Sequence, residues 1–307
     1  MFKSLLAATC TLSLVSCVKQ DEGQPNIDHA LPTADQVSIK LPQSSARTLD
    51  ALAVGQTAVY YVATRDVTRM FNGGAEWVLV LIHAIVQTPP TSVNGNVYTW
   101  GPGSKPLEPA DYKLDVTAKA DGTFTYQLSG RSKTQANAKF EVVIDGSADP
   151  RAGDDKGSGE FLIDFDASRR VNPIDAGDAK GSVDVRYDLA RRHLDLTVMA
   201  PDGGALDYAY NQAADGGGDM TFDLSLNAGG TPALETLTLR SRWLNTGAGR
   251  ADARVAGGDL GQLQITASEC WNTMFARVFY KDSNNFAATE GAESACAFVS
   301  ADLPLPH

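Results

Sequence analysis

Four histidines are the only side chains in this chain that titrate near neutrality, so acid–base chemistry would have to use one of them or a perturbed carboxylate. His29 and His307 fall near the chain ends. His83 lies on the polar side of an apolar stretch, and His193 follows Arg191 and Arg192 at the start of an alternating segment. Glu76 and His83 are seven positions apart, so on one helix they share a face. A solvated polar stripe explains that pairing without chemistry. No G-x-S-x-G elbow accompanies a serine, and no H-E-x-x-H holds zinc. The Gly216-Gly217-Gly218 run lacks the lysine and the strand-to-helix setting of a phosphate loop. Aspartates gather in three places: Asp145, Asp149, Asp154 and Asp155; then Asp175 and Asp178; then Asp215 and Asp219. Carboxylate clusters suit calcium, yet none has the spacing of a known calcium loop. Aspartate and glycine also dominate tight turns for backbone reasons, so no cofactor is expected and calcium is the alternative.

The 307 residues carry a formal net charge of −11. An acidic surface argues against nucleic acid and against electrostatic binding to anionic lipid. The chain opens MFKSLLAATCTLSLVSC. Lys3 makes a positive start, and Leu5 to Val15 form an apolar stretch too short to span a bilayer. Residues 1–16 therefore read as a signal peptide. Leu14-Val15-Ser16-Cys17 resembles the lipobox of bacterial lipoproteins. That resemblance covers the first 17 residues only. It implies cleavage before Cys17, acylation of Cys17, and a membrane partner held through that lipid. Val18 is not the aspartate that retains some members of that family at the inner membrane, so the resemblance favours the outer membrane. Cys10 would be discarded with the signal. Cys270 and Cys296 then remain in an oxidising compartment, and a disulfide between them is the simplest expectation. Closing that loop is worth about 3.5 kcal/mol in the chain-entropy picture.

Residues 17–52 are polar, charged and proline-containing, and read as a tether, with a short strand expected over Val37 to Gln43. Residues 53–307 are expected to form one β-rich domain with a helix at its start. From Asp66 to Gln87, Val67, Phe71, Val78, Leu81, Ile82 and Ile85 recur at a helical period. Asp66 can cap the start and Thr88-Pro89-Pro90 stops the end. Val59 and Val62 continue the same phase backwards, so a start near Gln56 stays open. After Val97 the period falls to two. About eleven strands follow, joined by short turns such as Asp121-Gly122, with no helices between them. Such alternation fits an antiparallel meander with one face in the core. A sheet this wide curls. The expected architecture is mainly β: a large curled antiparallel meander, open or closed as a barrel, with one long apolar helix on its apolar face.

The first functional expectation is a non-enzymatic lipoprotein that binds or carries a hydrophobic small molecule. Its architecture would loosely resemble the unclosed barrels of envelope lipoproteins. Trp77 departs from the helix's main apolar stripe, so Trp77, Val78, Leu81 and Ile85 are the ligand-cavity candidates. The alternative is a structural lipoprotein with a solid core that contacts an envelope protein, and an envelope hydrolase is the next. The core is solid if Phe124, Phe161, Phe165 and Phe222 close on Val78, Leu81 and Ile85.

Overall fold

The computed structural model describes residues 56–303 except 87, 105, 154, 155, 175–179, 202, 228 and 229. The side chains of residues 70–81, 83 and 84 are likewise outside the described set. Fifteen strands follow one helix: β1 (Ser92–Asn94), β2 (Val97–Gly103), β3 (Ala110–Ala118), β4 (Phe124–Ser132), β5 (Glu141–Asp149), β6 (Ser158–Asp164), β7 (Ser182–Asp188), β8 (His193–Met199), β9 (Ala205–Gln212), β10 (Gly218–Leu226), β11 (Glu235–Trp243), β12 (Gly249–Gly257), β13 (Ile265–Trp271), β14 (Arg277–Asp282) and β15 (Glu290–Gly291). The helices are α1 (Val59–Val86) and α2 (Phe165–Val171).

Every strand pairs antiparallel with its neighbour in sequence, and the ladder runs from β1 to β15 without closing. The expected meander is present. The expected count of eleven is corrected to fifteen, because β1, β9, β12 and β15 were not foreseen. The register lines up the apolar positions in rows. Val116, Tyr126, Gly146, Phe161, Val185, Leu196, Tyr208, Phe222 and Leu239 stand side by side across β3 to β11. Polar neighbours point the other way, as a period of two requires. One buried cluster takes in residues from β2 to β13 together with Ala58, Ile82 and Val86. The sheet therefore curls round α1 and makes a trough. Two glycines help the curl. A Cβ on Gly146 would stand 2.5 Å from the Tyr126 ring, and one on Gly159 would stand 2.7 Å from Tyr187 Cζ. The bare backbone lets each ring lie flat across the next strand.

Connections alternate between two rims. The upper rim carries the turns after β2, β4, β6, β8, β10, β12 and β14, and the lower rim carries the others. α1 starts at the lower rim. It begins at Val59, so Asp66 lies inside it and is not its cap. The start is set by tertiary partners. The Ala58 N–H donates to the Phe275 carbonyl (3.0 Å), the Tyr60 N–H donates to the buried Glu269 carboxylate (2.5 Å), and Tyr61 stacks on Phe275 at 4.1 Å. These contacts satisfy first-turn donors that the local sequence leaves orphaned. Thr64 Oγ1 meets Ser241 Oγ at 2.8 Å on β11. At the other end Trp100 of β2 donates to the Thr88 carbonyl at 2.6 Å, just before the prolines that stop the helix. At 28 residues α1 is about 42 Å long, enough to cross the trough from β13 to β2.

α2 is a second helix where none was expected, and Phe165, expected among the residues that close the core, is its first residue. Asp164 caps it, accepting from the Ala167 N–H at 2.8 Å. α2 tucks over the upper ends of β4 and β5, with Ala167 and Val171 buried. Gly130 makes this possible, because a Cβ there would lie 2.4 Å from Val171.

Candidate functional site: an apolar cleft at the upper rim

One inward row decides where the trough is open. Leu114, Leu128, Ile144 and Ile163 on β3 to β6 are fully buried. The same row continues through Val183, Val198, Leu206, Leu224 and Leu237 on β7 to β11, and these five are only half-buried. The residues are of one type throughout, so the difference lies in what covers them. α2 closes the first half. α1 packs on β12 and β13 through its first turns, meets Ser241 of β11 through Thr64, and ends beside Trp100 of β2. What remains is a cleft of about 600 Å³ at the upper ends of β8 to β11. Val198, Leu206, Leu224, Leu226, Pro232 and Leu234 give it an apolar wall, with Ser225 and Asn227 as its polar side chains. Asn227 Nδ2 donates to the Thr231 carbonyl at 2.8 Å, which shapes the turn that forms one side. Among the described residues, no ionisable one lines it. Its volume falls in the range of small-molecule sites. Such a wall can take an apolar molecule out of water.

A second, smaller cleft of about 340 Å³ lies at the lower ends of β4 to β7. Lys119, Glu160 and Arg186 line it among small polar groups. Arg186 already pairs with Glu160 at 3.4 Å.

The expected site residues are scattered. Cys17 lies outside the described residues. So do the side chains of Trp77, Val78, Leu81, Glu76 and His83, although all five sit on α1. Ile85 is half-buried and packs on the core near the Trp100 end of α1. Phe124, Phe161 and Phe222 are buried inward. Cys270 and Cys296 are bonded, with Cα atoms 5.5 Å apart. They tie the segment after β15 to the outer face of β13.

His193 does stand beside a carboxylate, but on the outer face of the sheet and in neither cleft. Its Nε2 is 2.9 Å from Asp195 and its Nδ1 is 2.7 Å from the Asn211 carbonyl oxygen. The aspartates mostly serve turns and neighbours. Asp149 binds the Arg151 guanidinium at 2.6 Å, and those hydrogen bonds hold its carboxyl down at about 2. Asp215 accepts from the Gly217 N–H at 3.0 Å, and Asp219 accepts from Asn211 at 3.0 Å. Asp145 is on the outer face of β5. Asp154, Asp155, Asp175 and Asp178 lie outside the described residues. Among the described residues, no three His, Cys, Asp or Glu side chains gather as a metal-binding group.

Sequence reasoning missed the cleft residues. Val198 and Leu224 alternate with polar neighbours along their strands as Leu128 does, and nothing in their pattern separates them from it. Comparison with models of protein families, with curated proteins and with solved structures finds no match.

Proposed function

We propose that this chain is a lipid-anchored protein of the bacterial cell envelope that binds a hydrophobic small molecule without chemical turnover. In this reading residues 1–16 are a signal peptide, Cys17 carries the lipid, and the outer membrane is the anchor's destination. The observation that supports binding is the open half of the inward row, where five large aliphatic residues stay only half-buried, three of them in the wall of a cleft whose described lining holds no ionisable residue. Leaving such area wet costs roughly 25 cal/mol per Å², a cost that an apolar ligand removes.

The test is native mass spectrometry of the full chain carrying Cys17→Ser, expressed in the periplasm, with solvent extraction of whatever is bound. The expected result is a reproducible extra mass that extracts as an apolar molecule and disappears in Leu224→Trp, which fills the cleft. A bare chain mass throughout would overturn the reading. A structural role is the second reading, favoured by the solid core under β3 to β6. In that case the outer face would carry the contacts to an envelope protein.

A further inference from the structure

Fifteen strands in sequential order need fourteen connections, seven at each rim. Among the described residues, the exposed large hydrophobes are unevenly divided between them. Six of the seven upper connections hold or border one: Leu107, Ile174, Met199, Leu234, Leu263 and Phe286. The lower connections hold two, Leu244 and Met274, on two of seven turns, and the start of α1 adds Val59 and Val62 at that rim. Single exposed hydrophobes are ordinary on any protein surface. One on nearly every turn of a single rim is not what scatter gives. Nor are they marginal, since Leu107 is 98% exposed, Phe286 73% and Ile174 70%.

We propose that the upper rim docks on the surface of a lipid bilayer, with these side chains entering the boundary between headgroups and acyl chains. Their arrangement selects this occupant. They project one by one from separate turns round a curved edge. A rigid protein partner would need a matching pit for each, whereas a fluid interface closes round every one. The apolar cleft opens at the same rim: Leu234 lines it and is itself 41% exposed, and Met199 follows the lining residue Val198. The turns of this rim carry equal numbers of basic and acidic residues in a chain of net charge −11. The lower turns are as nearly balanced, so the acidic excess lies chiefly on the strands, charge does not choose between the rims, and the docking is apolar rather than electrostatic. Residues 1–55 join the fold at the lower rim, where Arg277 N–H donates to the Gln56 carbonyl at 3.0 Å. The upper rim is thus the end away from that entry point. Passage of an apolar ligand through this rim rests on the reading of the cleft given above, whereas the docking does not.

The test uses the full chain with Cys17→Ser and neutral phosphatidylcholine vesicles, some with bromine-labelled acyl chains. Two reporters are compared with the parent chain: Phe286→Trp on the upper rim and Met274→Trp on the lower. The expected result is bromine quenching of the tryptophan at 286 and none at 274. It should be unchanged between roughly 50 and 500 mM salt, because no charge pairing is involved. The combined variant Leu107→Ser, Ile174→Ser and Phe286→Ser should weaken vesicle partition about tenfold or more, since each side chain contributes burial of apolar area. Leu244→Ser with Met274→Ser should leave it unchanged. All five positions are exposed, so circular dichroism should stay that of the parent. Equal quenching at both rims, no quenching at 286, or partition indifferent to the triple variant would overturn the proposal. So would a dimer in the absence of vesicles that the triple variant dissociates, because a second copy would then be the occupant. The Leu224→Trp mass comparison fails or succeeds independently of these results, so loss of the ligand reading and loss of the docking are told apart.

Discussion

His193 sits in a line of hydrogen bonds that fixes its protonation. Asn211 donates its amide N–H to Asp219, which turns its carbonyl oxygen towards His193 Nδ1. Asp195 offers a carboxylate oxygen to Nε2. Both partners are acceptors, so the ring satisfies them only when both nitrogens carry protons. Partial burial acts to lower the pKa, but the hydrogen bonds to Asp195 and Asn211 outweigh it and raise it above the ordinary 6.5. A raised pKa contributes stability that is fully present below pH 6.5 and is lost as pH rises through the higher folded value. The pair is partly exposed, so the contribution is under about 1 kcal/mol. Imidazole titration by NMR should give a midpoint above 6.5 that falls in Asp195→Asn. A midpoint at or below 6.5 in the parent chain would remove the doubly protonated ring from this picture. These bonds clasp β8, β9 and β10 together on the outer face.

At the scale of elements, α1 is held by a residue more than two hundred positions away. Glu269 is fully buried on the inner face of β13, where its carboxylate accepts from Tyr60 N–H and from Arg277 Nε, both at 2.5 Å. A carboxylate at a helix start meets both the orphan donors and the positive end of the dipole. Glu269→Ala should cost about 3–5 kcal/mol in urea unfolding, because it leaves a largely buried guanidinium short of its closer partner. Glu269→Gln keeps an acceptor for Tyr60 and should cost less. Hydrogen exchange at Tyr60 N–H should quicken in the alanine variant, and unchanged protection there would mean that the helix start is fixed otherwise. This anchoring decides between the two starts that the sequence leaves open, at Asp66 and near Gln56, in favour of the second. Asp66 offered a local cap signal, and a tertiary cap overrode it. The strands were legible wherever large apolar residues alternate, as in β4, β6, β8 and β10. β12 (GRADARVAG) was missed because its inward residues include Ala251 and Ala253. They are small where the first turns of α1 lie on the sheet, so packing removed the signal that pattern reading needs. β9 did carry the signal, in Leu206, Tyr208 and Tyr210, and was overlooked. β1 and β15 have three and two residues, too few to show a period. The cleft was illegible for a different reason. Its walls share one pattern with the solid half of the core, and only the placement of α1 and α2 tells the halves apart.

For the whole molecule, an open sheet of fifteen strands must manage two edges and a wide outer face. The edges are managed by brevity, since β1 and β15 offer few unpaired groups to another chain. The outer face of β11 to β14 is covered by residues 292–303, which run back across it as a strap. Arg250, 1% exposed, lies beneath and donates to Glu293 at 2.8 Å and to the carbonyls of Phe298 and Val299 at 3.1 and 2.8 Å. Asp252 receives the Asp302 N–H at 2.7 Å, and Arg242 pairs with Asp302 at 2.7 Å. These contacts hold the strap in the folded state whether or not Cys270 and Cys296 are joined. The disulfide should therefore act mainly by limiting the unfolded chain. Cys296→Ser should lower stability by about 3.5 kcal/mol, the loop-closure value, with the native circular dichroism and the strap's resistance to protease retained. Its urea m-value should rise, because an uncrosslinked chain exposes more surface when it unfolds. If the strap becomes protease-sensitive while the m-value stays put, the bridge is instead what holds the strap in the folded state, and the Arg250 contacts are too weak to seat it unaided.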